Sequence, residues 1–283
     1  MCKYENCNRK NYKNYKYCVF HCDKENFTEE EIEEFKEKFW KYFEEQERDE
    51  KIVELNFICF KFPTNFSFRG IEFKKEVEFR GAIFIGETDF TGATFNSDIV
   101  FIETRFESKA NFEEAKFNAK AYFQRTIFNG EVTFRKVIFG GVANFSGALF
   151  NHRVYFLKTI FFAIAYFKWT TFSGEADFGD AKFRSEADFE GVRFIDKSDF
   201  TWTLFDAEAF FKKATFSGET SFLNSIFSGE ANFQEINFEA DAEFNGANFS
   251  NIANFMGTVF YKEANFKVTK FSSDALFMAT TFD

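Results

Sequence analysis

Cys2, Cys7, Cys18 and Cys22 crowd into the first 22 residues, with His21 beside the last of them; Cys59 is the only other cysteine. Thiolate sulfur and imidazole nitrogen are the donors that a four-coordinate zinc ion takes, and Cys2-x4-Cys7-x10-Cys18-x2-His21 supplies four of them. Cys22 is an alternative to His21 as the fourth ligand. The sequence has no apolar run of the kind that makes a signal peptide or a membrane span, which points to a reducing, cytoplasmic setting. In that setting clustered cysteines hold metal more often than they form disulfides. A segment this short has too small a core to fold without a staple. The plain alternative is a reduced, partly disordered tail.

The spacing resembles that of short Cys3His zinc knuckles, which implies a few turns wrapped around one ion over residues 1–26. Elsewhere the chemistry is sparse. His152 stands alone between Asn151 and Arg153 and reads as a solvated surface residue, and Cys59 reads as a small buried apolar one. There is no phosphate-binding loop, dinucleotide turn or nucleophile elbow, so catalysis is not expected. The formal charge is −10, and residues 1–56 hold 11 Lys+Arg against 15 Asp+Glu. That acidic balance argues against nucleic-acid binding.

The cluster leads into a helix and then a long repeat. Residues 28–51 read as helical: Thr28 and Glu31 form a capping box, and Glu29, Glu30 and Glu31 suit the positive end of the helix dipole. Ile32, Phe35, Phe39, Tyr42, Phe43 and Gln46 recur at three- and four-residue spacing as one apolar face, which Trp40 widens. The opposite face is acidic and would be repelled by anionic lipid, so no membrane role is expected. Residues 27–56 are instead expected to cap the open edge of the repeat, with Ile52, Val53, Leu55, Phe57, Phe60 and Phe66 leading into it. Pro63, the only proline, falls where a missing backbone donor is cheapest.

From Phe57 to Phe282 phenylalanine recurs at alternating steps of five and six residues without a slip; all 42 positions of the pattern are Phe, of 51 in the chain. Steps of five scatter around a helix, and strands this short in a flat sheet would need a hairpin after each. The pattern fits a chain that coils, one Phe pointing inward per short straight side. The residue two before each Phe shares its side of the backbone and is small or β-branched, as at Ala82, Thr88, Ala93, Ala176 and Ala181. Intervening residues are mostly polar. The sixth residue of the longer steps, such as Glu175, Glu186, Glu219 and Glu230, reads as a widened corner.

Runs such as Ala176-Asp177-Phe178, Ala181-Lys182-Phe183, Ala231-Asn232-Phe233 and Ala253-Asn254-Phe255 resemble pentapeptide repeats in their phenylalanine-centred form. The resemblance implies an all-β solenoid over residues 57–283: a right-handed, four-sided parallel β-helix of about ten coils, whose four sides at the observed spacing take 22 residues, roughly 50 Å long at the usual strand spacing. A regular rod offers no concave pocket. It implies a non-enzymatic scaffold whose side faces meet a protein partner, with an end-to-end homodimer through the last coil near Phe271, Phe277 and Phe282. Some proteins of this kind mimic DNA and protect DNA gyrase, a type II topoisomerase; here the acidic charge is dilute and interrupted by Lys116, Lys182, Lys212, Lys213 and Lys270. A self-assembling structural rod is a further alternative. Tyr155, Leu157, Ile160, Phe162, Ile164, Tyr166 and Trp169 break the outward polar pattern, as do Tyr122, Ile127, Ile138 and Leu149 before them and Trp202 and Phe210 after. Such a patch marks a partner site, unless these side chains only stack on one another across coils.

Overall fold

The five-and-six spacing of the phenylalanines becomes a four-sided β-helix. The structure, a computed structural model, describes residues 3, 7–13, 16–22 and 27–283. Forty-two short strands stack into four parallel sheets of 11, 11, 10 and 10 strands, each strand pairing with the one 22 residues on. We number the faces in chain order: face I begins with Glu54–Asn56, face II with Lys61–Phe62, face III with Phe66–Ser67 and face IV with Glu72–Phe73.

The two step lengths make two kinds of corner. Each five-residue step, from face I to II or III to IV, is a tight turn in which an amide bonds back to the preceding Phe carbonyl, as Ala82 does to Phe79 (2.8 Å). The third residue of each turn has positive φ, whether it is Gly81 (63°), Asp180 (55°) or Trp169 (54°), the signature of a type II turn. The six-residue steps make the wider corners, where backbones of successive coils approach closely. A Cβ added at Gly130 would lie 2.4 Å from the Ser108 carbonyl carbon.

Inside, four columns of rings run along the axis. Neighbours within a column lie face to face, as Phe161 and Phe183 do at 4.7 Å and 1°. The columns of faces I and III meet edge to face, as Phe145 and Phe156 do at 5.5 Å and 87°. Both geometries suit the aromatic quadrupole. The small residue two before each Phe leaves room for four rings per layer. Where it is Thr on faces II and IV, its hydroxyl donates to a Phe carbonyl of the coil below, Thr126 to Phe101 at 2.7 Å and Thr170 to Phe145 at 2.8 Å; on face III Thr220 donates instead to the Gly218 carbonyl at 3.2 Å. Among the described residues no buried hydroxyl is left without a partner.

In the first coil the small positions turn large: Leu55, Phe60, Phe66 and Ile71. No coil precedes them, and they meet the cap instead. Helix α1 (Glu29–Arg48) carries the expected capping box at Thr28 and Glu31 and ends three residues sooner than its apolar pattern suggests, because Asp49 caps it in extended conformation. Phe35 and Phe39 are fully buried; Phe39 lies 5.2 Å from Phe57, 5.3 Å from Phe62 and 4.9 Å from Phe66, and Trp40 stacks on Phe66. The Lys75 ammonium donates to the carbonyls of Gln46 (2.7 Å) and Asp49 (2.8 Å) at the negative end of the helix.

Pro63 has a specific reason. On face II the amide after each inward Phe donates to the coil before it, as Ile85 does to Phe62 (3.0 Å). At position 63 no earlier coil exists, and proline has no N–H to leave unpaired. Two expectations need correction. Cys59 is half-buried, not a core residue, because it occupies the positive-φ place of a tight turn (54°). Val53 is exposed and does not lead into the stack. At the far end Phe277 and Phe282 are exposed, with Phe266 and Phe271 partly covered.

Candidate metal centre and side faces

Cys7, Cys18 and His21 converge. Cys18 begins a tight turn, in which the His21 amide bonds to its carbonyl (3.1 Å), and the chain reverses so that the imidazole returns to the sulfur. The Cys7 and Cys18 sulfurs are 3.8 Å apart, and Cys18 Sγ is 3.2 Å from His21 Nδ1. All three residues are buried and their donor atoms lie within 4.8 Å of one another, close enough to hold a metal ion. The other ring nitrogen, Nε2, donates to the Ile58 carbonyl at 3.1 Å, which leaves Nδ1 as the lone-pair donor facing the sulfurs. Burial holds the imidazole below its ordinary pKa; Arg9 and Lys61 push the same way, against the Ile58 bond. A neutral imidazole is the form that binds metal. The Arg9 guanidinium donates to Cys7 Sγ (3.6 Å) and lies over the Tyr42 ring (4.4 Å), so a positive charge faces the thiol.

Cys2, the expected fourth ligand, lies outside the described residues. Cys22, the alternative to His21, is buried but is not part of the group that converges.

The cluster is tied to the cap. The Phe20 ring stacks on Phe60 at 4.6 Å and 11°, and the Phe20 carbonyl accepts the Lys61 amide at 2.8 Å. In later coils that amide bonds to the previous coil, as Ile83 does to Phe60. Phe20 therefore stands in for a missing coil at the edge of face II. Lys13 pairs with the buried carboxylate of Glu31 (2.7 Å), and Tyr12 donates to Glu34 (2.8 Å), which pins the segment to the first turns of α1. Burial, then the Glu34 bond, pushes the Tyr12 phenol up to about 12.

The eight apolar patch residues divide among faces. One coil uses 22 residues, so a run from Tyr155 to Trp169 wraps most of the way round. Tyr155 lies on face III, Leu157 in the turn after it and Ile160 on face IV. Phe162 and Ile164 sit on the wide corner leading to face I, Tyr166 on face I and Trp169 in the turn beyond it. Those last four form one band across a single face. Trp202 lies in a turn between faces III and IV, on the other side of the rod. Phe162 (54%), Trp169 (67%) and Trp202 (59%) are exposed, and the other five are half-buried. The Trp169 indole lies along the next coil, where a Cβ at Gly191 would meet it at 2.7 Å. His152 is exposed on a wide corner, as expected.

Two outward patterns are legible only every twenty-second residue. On faces I and III the residue before the inward Phe accepts a hydrogen bond from the amide two places on, as Asn144 does from Ser146 (2.9 Å) and Asp199 from Thr201 (2.8 Å). These are Asx turns. They explain why Asp and Asn fill that position so often. Along the edge of face III, Glu87, Lys109, Glu131, Arg153, Glu175, Lys197 and Glu219 alternate in sign from coil to coil, with Lys109–Glu131 (3.0 Å) and Arg153–Glu175 (2.8 Å) paired.

Four parallel sheets closed around stacked rings define a β-solenoid of about ten turns. Residues 68–116, 101–149, 112–160, 123–170 and 200–248 match the family described as Pentapeptide repeats (9 copies), more than half of the chain together, and the chain belongs to that family. No curated protein and no solved structure matches the chain. Among the described residues no helix is long and apolar enough to cross a membrane.

Proposed function

We propose that this chain is a non-enzymatic scaffold: a rigid rod that presents a side face to a protein partner, closed at its N-terminal end by a zinc-stapled cap. The observation that carries the scaffold reading is the band Phe162, Ile164, Tyr166 and Trp169, which crosses face I where the fold itself asks only for polar residues. Exposed rings at Phe162 and Trp169 are the kind of anchor that interfaces bury. The DNA-mimic alternative is disfavoured by charge placement. The central outward positions of face II are apolar, uncharged or basic (Lys61, Arg105, Arg193), and acidic ones on face III are interrupted by Asn111, Thr133 and Tyr155.

Zinc suits the donor set. Two thiolates on a tetrahedral zinc at about 2.3 Å stand about 3.8 Å apart, and the Cys7 and Cys18 sulfurs have that separation. Cys7, Cys18 and His21 would hold the ion with Cys2 as a further ligand, Cys22 being the alternative to His21, and its chemistry there is structural, binding the segment together.

The test is affinity capture from the native host with the wild-type chain and with Phe162→Ser/Trp169→Ser. The scaffold reading expects a captured protein that the double variant loses at unchanged melting temperature. A double variant that melts lower and still captures the protein would show the rings to be internal packing.

A further inference from the structure

Face I departs from the Asx rule in a regular way. Its outward position before the inward Phe runs Tyr122, Asn144, Tyr166, Asp188, Phe210, Asn232 through six successive coils. Asn144, Asp188 and Asn232 accept the amide two residues on, at Ser146, Glu190 and Gln234. The rings cannot, so the amides of Gln124, Lys168 and Lys212 forgo that side-chain acceptor in every second coil. The exchange gives up one turn hydrogen bond in each of those coils. All three aromatic side chains are half-buried rather than covered.

The rings stand as ridges two coils apart, roughly 9.6 Å at the usual strand spacing. Between them lie slots floored by Asn144 and Asp188. An open depression of about 390 Å³ lies on this face, lined by Lys168, Asp188, Glu190, Phe210, Lys212 and Asn232. Each Asn spends its oxygen on the turn, which leaves its NH2 group to donate outward.

We propose that this row is a docking track for a proline-rich segment in the polyproline II conformation, with basic residues at its flanks. Polyproline II has three residues per turn at about 3.1 Å each, or roughly 9.3 Å per turn. That is within about 0.3 Å of the ridge spacing, so one turn of peptide seats in each of the two slots without accumulating mismatch. Aromatic walls are the surfaces that hold proline rings, and a segment already in this conformation loses little entropy on docking. Its carbonyls make no internal hydrogen bonds and are free to accept from the Asn144 amide in the first slot; in the second, Asp188 is already engaged by the Glu190 amide and Lys168. Beyond the first slot, whose edge carries Lys120, Val142 and Ile164, the flanking charge sets the sign: Glu186, Glu208 and Glu230 stack in consecutive coils at the edge of face I beside Asp188 and Glu190. Lys168 is engaged by Asp188 (3.0 Å) and Glu190 (3.1 Å). An acidic border of this kind attracts Arg and Lys on the ligand. This inference rests on the scaffold reading and names the face and the partner chemistry.

The experiment titrates the full chain, by calorimetry, with an oligoproline peptide carrying arginine at each end. Controls are the same peptide flanked by glutamate, a Gly/Ser peptide flanked by arginine, and a β-linked glucose oligosaccharide. The variant is Tyr122→Asn/Tyr166→Asn/Phe210→Asn, which installs the residue this column already uses and restores the turn acceptor. The expected result is saturable binding of the arginine-flanked oligoproline, weakened at least about tenfold by the triple variant and by the glutamate flanks, with the variant melting no lower than wild type. No binding, equal binding by the variant, preference for the oligosaccharide, or a variant that melts lower each overturns the proposal. A host partner still captured by the triple variant, but lost by Phe162→Ser/Trp169→Ser, overturns it while leaving the scaffold reading standing.

Discussion

At the level of single residues, Asp177 shows how an outward side chain can serve the fold and strain it at once. Its carboxylate accepts the Gly179 amide at 2.8 Å and so holds the turn after face III. Burial raises its pKa above the ordinary 3.8 and Asp199, stacked on it one coil later, pushes the same way, against the Gly179 bond. A carboxyl whose folded pKa lies above its unfolded value destabilises the native state when ionised. That penalty is present at neutral pH and is relieved as pH falls through the folded value toward 3.8. Asp177→Asn keeps the hydrogen-bond acceptor and removes the charge, as Asn111 does in the same column. The variant should be more stable than wild type at pH 7 by roughly 0.2–1 kcal/mol, the cost of like charges directly opposite. Melting both proteins across pH 7 to 4 checks this: the gap should shrink on acidification, and a constant or growing gap would mean that Asp177 ionises without penalty. Glycine supplies a second contrast. Gly229→Ala puts a Cβ 2.3 Å from the Ala207 backbone, whereas Gly92→Ala meets nothing within 4 Å and bears only its positive φ of 64°. The first should lower the melting temperature clearly more than the second, whose conformational cost is about 1–2 kcal/mol.

Among elements, the cap is where sequence and structure can be weighed against each other. Helix α1, its capping box and its seat on the first coil were legible because apolar spacing and Thr28-x-x-Glu31 are local signals. The coiling was legible because its period never slips, and its four sides through the resemblance to pentapeptide repeats. The Asx turns and the alternating charges beside face III were not, because they appear only when residues 22 apart are set side by side. The patch was misgrouped for the same reason: adjacency in sequence carries a side chain around a corner, while adjacency along the rod needs a whole circuit. Three of the candidate ligands, Cys7, Cys18 and His21, do converge, but nothing in their spacing foretold Phe20 bonding to Lys61 as a surrogate coil. That bond makes the metal reading testable at one amide. Adding a strong chelator, or substituting Cys18→Ser, should release Phe20 and cost the Lys61 amide its hydrogen-exchange protection. The Ile83 amide, bonded to Phe60 at 2.8 Å, should keep its own. Equal protection at Lys61 with and without chelator would show that the segment is held by packing alone.

Over the whole molecule, the rod behaves as a one-dimensional stack, in which each coil touches only the coils before and after it. Four ring columns carry that coupling. A ring in the middle of a column has two stacked partners, as Phe161 has with Phe139 (4.9 Å) and Phe183 (4.7 Å). Phe271, in the last turn, has one, Phe249 at 5.1 Å, and is only partly covered. Truncating a fully buried Phe costs about 3–5 kcal/mol, because transfer free energy is lost and rigid neighbours cannot close the cavity. Phe161→Ala should therefore interrupt its column in the centre of the rod, whereas Phe271→Ala should loosen only coils that already border solvent. The first is expected to lower the melting temperature strongly and to spread lost amide protection into the coils on both sides, since each loses a stacking neighbour. The second should leave the midpoint almost unmoved and confine exchange to residues after about Phe249. Comparable destabilisation by the two substitutions would mean that the coils melt as one unit whose cooperativity spans the rod. Stability would then reside in the continuous backbone ladders of the four sheets, and ring stacking between neighbours would be secondary to them.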